Sequence, residues 1–149
     1  RIAKAFGINI NYFSVRNNKK TQFLNFLSSL DYLSVHCPLN EKTKDLITIK
    51  ELKIMKKNMI LINTARGGIV NENDLTKALK QKIIAGAGID VTTSEPPKKS
   101  HPYYSILNEA NFIWTPHTAW ASNETLQEAI NQLVKNINSF YKGRKRNIV

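Results

Sequence analysis

The chain has 149 residues, 42% of them hydrophobic and 22% charged, which is enough apolar material for one globular domain with a core. That excludes a disordered tail, a collagen-like fibre and a disulfide-stapled mini-protein. Lys and Arg number 22 against 11 Asp and Glu, so the formal charge is +11, spread along the chain rather than gathered in one arm, and a basic surface is expected.

A single cysteine, Cys37, leaves no internal disulfide to form and suits a reducing compartment, with the cytoplasm the default. No run approaches the roughly 20 consecutive apolar residues of a membrane helix. Residues 1–7 carry no signal peptide; they read as the last turns of a helix closed by Gly7, one that begins outside this sequence, so the chain is expected to be a piece of a longer protein.

In chain order, residues 8–14 mix β-branched and aromatic side chains over strand length and lead into a polar loop over residues 15–20. Apolar residues at helical spacing follow behind Thr21, a possible N-cap, and residues 31–36 return to strand character before Cys37-Pro38. Between Asn40 and Lys57 the interspersed Leu46, Ile47, Leu52, Ile54 and Met55 predict one or two short amphipathic helices. Residues 59–64 are nearly continuously apolar, as in a strand buried on both faces, and end at Ala65-Arg66-Gly67-Gly68. Asn71 or Asn73 can cap a helix running to about Lys82, before a strand over residues 85–91. Pro96, Pro97 and Pro102 predict a loop, residues 112–115 a last short strand, and residues 122–142 a long helix stopped by Gly143. This alternation predicts an α/β fold with a doubly wound parallel sheet.

Ligands of an open parallel sheet bind beyond the carboxyl ends of its strands. Ser14, Cys37, Thr64, Arg66, Asp90, Glu95 and His117 all fall at or just past such ends. Arg66, before two glycines that let the chain turn sharply, can hold a carboxylate through a two-point contact, although spacing alone favours a surface arginine in a tight turn. His117, after Pro116, is the residue type that moves protons near neutral pH, and its plain alternative is a helix cap. Glu95 is either its carboxylate partner or an ordinary solvated loop residue.

Four segments taken together are more specific. They are His36-Cys37-Pro38-Leu39-Asn40-Glu41-Lys42-Thr43, the run Leu61-Ile62-Asn63-Thr64-Ala65-Arg66-Gly67-Gly68-Ile69-Val70-Asn71, Ala87-Gly88-Ile89-Asp90-Val91 with Glu95-Pro96-Pro97, and Thr115-Pro116-His117-Thr118-Ala119-Trp120. In this order they resemble the D-isomer-specific 2-hydroxyacid dehydrogenase family over essentially the whole chain, and within it most closely the glycerate dehydrogenase or hydroxypyruvate reductase group.

The resemblance implies a Rossmann-like nucleotide-binding domain and hydride transfer between a nicotinamide cofactor and the 2-carbon of a small 2-keto or 2-hydroxy acid. It assigns the substrate carboxylate to Arg66, proton transfer to His117, and to Glu95 the pairing that favours protonated His117. Asp90 then faces the nicotinamide carboxamide, Thr64 and Ala65 line the cofactor, and Cys37 with Pro38 borders the adenosine side. No metal is implied.

Ser14 stands where NAD-preferring members carry an Asp on the ribose, and with Arg16, Lys19 and Lys20 nearby it leaves NAD and NADP both open. The first strand, its glycine-rich turn and a substrate domain are expected to lie outside the sequence, with residues 122–142 leading back toward that domain. In the strand order 3-2-1-4-5-6 the absent strand is central, and the strands over residues 8–14 and 31–36 are expected to be cut off from that over residues 59–63. The intact enzyme is expected to be a homodimer with no nucleic-acid or membrane partner. The rival readings are an inactive fragment of such an enzyme and a basic binding module carried by Arg144 to Arg146.

Overall fold

A computed structural model describes residues 1–16 and 19–148. Asn17 and Asn18, within the expected polar loop, lie outside the described residues. By contacts the chain forms two compact units, Arg1–Pro116 and His117–Val149.

The first unit opens with α1 (Ile2–Ala5), which ends as its sequence predicts. Gly7 adopts φ +74°, its N–H donates to the Lys4 carbonyl, and the Ile8 N–H donates to that of Ala3, the paired bonds of a Schellman cap. Residues 8–14 form no strand, against expectation. β-propensity alone does not make a strand, because a ladder needs a neighbour to pair with.

The helix α2 (Lys20–Ser29) starts ahead of Thr21 because the Gln22 side chain accepts the Lys19 N–H at 2.9 Å. From there β1 (Tyr32–Val35), β2 (Ile60–Asn63), β3 (Gly86–Ile89) and β4 (Phe112–Trp114) build one parallel sheet in the order β1-β2-β3-β4. The pairing of Tyr32 with Ile60 and of Val35 with Asn63 corrects the expected gap between these segments. Because it pairs directly with Ile60–Asn63, Tyr32–Val35 takes the fourth place in the doubly wound order rather than the third. Its other edge is unpaired, and of the expected strands it is residues 8–14 that lack a sheet partner among the described residues.

Alternate residues of the sheet point into the core. Leu61, Ala87 and Phe112 share one row, and Val35, Asn63 and Ile89 share the next, all of them buried. Leu27 of α2, Leu52 of α3 (Ile49–Leu52) and Leu75, Ala78 and Leu79 of α4 (Glu72–Lys80) join the same core. The opposite row of Ser34, Ile62 and Ile113 is exposed, so β2 is covered on one face and not on both as its apolar run suggested.

The stretch from Asn40 to Lys57 condenses to the single turn of α3, held by a capping box in which the Glu51 carboxylate accepts the Thr48 N–H at 3.0 Å. Asn71 caps α4 by accepting the Asp74 N–H. The proline-rich stretch contains a 3₁₀ turn at Pro102–Ile106, and the peptide between Glu95 and Pro96 is cis.

In the second unit, α5 (Asn123–Tyr141) is capped by Ser122, whose hydroxyl accepts the Thr125 N–H. Leu126, Ile130, Leu133, Val134, Ile137 and Phe140 recur at helical spacing along it and are all exposed.

Candidate functional site

Thr64, Ala65 and Arg66 continue directly from β2, and this exit is shaped by a residue the sequence reading passed over. Asn63 ends an apolar run and is only 2% exposed, so its amide must find partners inside. Its Oδ1 accepts the Ala65 N–H at 3.0 Å and its Nδ2 donates to the Arg66 carbonyl at 3.0 Å, clasping both ends of the turn. The signal was available as a lone amide in a core strand. Arg66 itself is exposed, and its guanidinium donates back to the Ala65 carbonyl at 2.7 Å.

Beyond Arg66, the two glycines do separate jobs. Gly68 has φ +79°, a conformation costly for a side chain. Gly67 is needed for space, because a Cβ there would fall 2.0 Å from the Thr92 carbonyl carbon and 2.4 Å from the Thr93 nitrogen. The Arg66 turn is therefore in backbone contact with the loop after β3, the one that carries Glu95.

In that loop the exposed Glu95 is more than a solvated side chain, since its carboxylate accepts the Thr92 N–H at 2.9 Å. Asp90 is 3% exposed; its carboxylate accepts a hydrogen bond from the Thr115 hydroxyl, and its N–H donates to the Asn63 carbonyl at 3.0 Å. Arg66, Asp90 and Glu95 thus lie on two strand-end loops tied together by Asn63 and Gly67.

A cleft of about 560 Å³ runs along the unpaired edge of β1. Ser14, Cys37 and Pro38 line it together with Phe13 and Val35, so three of the residues assigned to the cofactor share one cavity, whereas Thr64, Ala65 and Asp90 are not among its walls. Burial pushes the Cys37 thiol up from its ordinary range, which favours the neutral thiol and a packing role over nucleophilic chemistry. In the second unit, His117 has φ +54°, and its carbonyl accepts the Trp120 indole N–H at 2.9 Å. Ser122 fills the capping position of α5, so capping is not what His117 does.

A parallel sheet flanked by helices, with its polar residues gathered at the carboxyl ends of the strands, defines the Rossmann class of nucleotide-binding domains. Residues 1–119 match the family described as "D-isomer specific 2-hydroxyacid dehydrogenase, NAD binding domain", and the chain belongs to that family. It is 47% identical over 126 residues to a protein of Methylorubrum extorquens named glycerate dehydrogenase, covering 83% of this chain and 39% of that one.

Among solved structures it is similar to the NAD complex of a D-isomer specific 2-hydroxyacid dehydrogenase from Lactobacillus delbrueckii ssp. bulgaricus, with TM-score 0.88 and 30% identity over 99% of this chain and 51% of the other. It is also similar to an acyclic imino acid reductase complexed with NADPH and D-Arg, with TM-score 0.81 and 32% identity over 99% of this chain and 48% of the other. The chain spans about half the length, or less, of the proteins it matches. Among the described residues no helix is long and apolar enough to cross a membrane.

Proposed function

We propose that this chain supplies the nucleotide-binding part of an oxidoreductase that interconverts a small D-2-hydroxy acid and its 2-keto partner, of the glycerate and hydroxypyruvate type. The observation that carries this reading is the backbone contact of Gly67 with Thr92 and Thr93, which sets an exposed Arg66 and the Glu95 loop side by side at the carboxyl end of the sheet. Arg66 would hold the substrate carboxylate and help polarise the 2-oxo group. His117 would give the carbonyl oxygen its proton in reduction and take it back in oxidation, with Glu95 the carboxylate paired with it in the family's pattern.

The residues present suit a dinucleotide. The cleft along β1 offers the apolar walls of Phe13, Val35 and Pro38 for a base, with Ser14 and Arg16 at its edge for a ribose. Thr64, Ala65 and Asp90 would line the nicotinamide side, and the nicotinamide supplies or accepts the hydride. Ser14 in place of an acidic residue, beside Arg16, leaves room for a 2′-phosphate, so the reading admits NADP beside NAD. Residues 1–149 form part of the nucleotide-binding domain in this reading, with α5 returning toward a substrate domain. The lone cysteine and the small charged substrate support a cytoplasmic enzyme, and the family pattern supports a homodimer without nucleic-acid or membrane partners.

The test is Arg66→Lys in the intact enzyme that contains this chain. Lysine keeps the charge and loses the two-point contact, so kcat/KM for reduction of hydroxypyruvate or glyoxylate should fall by about two orders of magnitude. An unchanged value would remove Arg66 from the substrate site.

A further inference from the structure

Glu72, in the first turn of α4, uses both oxygens of its carboxylate as acceptors. Its side chain is 10% exposed. One oxygen accepts the Thr93 N–H at 2.7 Å, and the other accepts the Thr93 hydroxyl at 2.8 Å and faces His101 Nε2 at 2.9 Å. On its far side, His101 Nδ1 accepts the Tyr103 N–H at 3.3 Å, so the ring proton sits on Nε2 and is donated to Glu72. The imidazole is itself fixed between the rings of Tyr103 and Trp114, at centroid distances of 4.8 and 5.4 Å.

This network grips one residue of the Glu95 loop through both its backbone and its side chain. The neighbouring residue, Thr92, seats the Glu95 carboxylate with its N–H, and Thr92 and Thr93 together form the wall against which Gly67 is packed. Glu72 therefore holds the Glu95 loop directly, and through Thr93 it backs the wall on which the Arg66 turn rests. We infer that Glu72, oriented by His101, is a positioning residue that fixes the Glu95 carboxylate for proton transfer. This rests on the reading of Glu95 and Arg66 as the reacting constellation.

A glutamine at position 72 keeps the shape but places an amide N–H₂ against either Thr93 or His101, which are both donors, so the loop is released on one side. In the intact enzyme, Glu72→Gln should lower kcat for keto-acid reduction by about tenfold while leaving the dinucleotide KM within about twofold, the pattern of a misplaced group rather than a lost binding contact. Thr93→Val, which removes only the hydroxyl, should lower kcat in the same sense by about two- to threefold, and it serves where Glu72→Gln folds poorly.

A merely structural role is separated by two comparisons. Asn71→Ala weakens the start of the same helix α4 without touching the loop and should leave kcat per folded enzyme unchanged. In a Glu95→Gln background, adding Glu72→Gln or Thr93→Val should cost nothing more, because the group being positioned is already gone. An active parent enzyme with unchanged kcat in both variants, or with the same loss in the Glu95→Gln background as in the parent, overturns the inference. A parent enzyme without keto-acid reductase activity instead overturns the function on which it rests.

Discussion

At the scale of single residues, the site depends on space as much as on charge. Gly67 lies so close to the Thr92 and Thr93 backbone that one methyl group cannot be accommodated by side-chain movement. Gly67→Ala should therefore destabilise the fold by about 1–3 kcal/mol, as overpacking does, and chemical denaturation would measure it. A stability within error of the parent would mean that the two loops part freely. Cys37 gives a second test. Burial raises its thiol above the ordinary value, so the preference for the neutral form contributes stability below the unfolded thiol's pKa and is lost as pH rises through the folded one. Iodoacetamide labelling of the folded chain should thus have its pH midpoint above that of a free cysteine, and a midpoint at or below the free value would contradict this.

The placement of Arg66, Glu95 and His117, the residues proposed to react, beyond strand ends was legible in the sequence, because they fall after apolar runs that end in turns. The residues that hold them were not. Asn63, Glu72 and His101 act through partners up to 29 positions away, and no local spacing announces such pairings. Glu72 in particular sits where an acid is expected at any helix start, so its ordinary explanation hid its engagement with Thr93 and His101.

At the scale of elements, caps and periodicity were read with the greatest success. The Asn71 cap, the Ser122 start of α5 and the Gly7 stop all lie where side-chain chemistry put them. Asn71 also donates from Nδ2 to Asp45 at 2.9 Å, so Asn71→Ala should cost about 1–2 kcal/mol, which thermal unfolding would register. The failures were of pairing. Residues 8–14 have the composition of a strand and are none, whereas Tyr32–Val35 was correctly read as a strand but given the wrong neighbour. Composition reports whether a segment suits a pleated surface, and the sheet order is decided by contacts between segments.

At the scale of the whole molecule, residues 1–149 hold the proposed reacting side chains and an uninterrupted four-stranded sheet, with an open edge at β1. Amides in β2 and β3 should be the best protected from hydrogen exchange, and those of residues 9–13 among the fastest, since the latter belong to no ladder. The surplus of basic residues, 22 against 11 acidic, is distributed over both units.

The coincidence of spatial and chain order in the sheet has a consequence for how the protein is made. Each strand from β2 onward lies beside the strand synthesised just before it, so the ladder can lengthen in step with translation, one crossover at a time, without waiting for a distant segment to emerge. The growing side is always the newest. The edge of Tyr32–Val35 that later receives β2 is laid down first, and until β2 docks it is there that a nascent chain is most exposed to pairing with a stray strand from a neighbour.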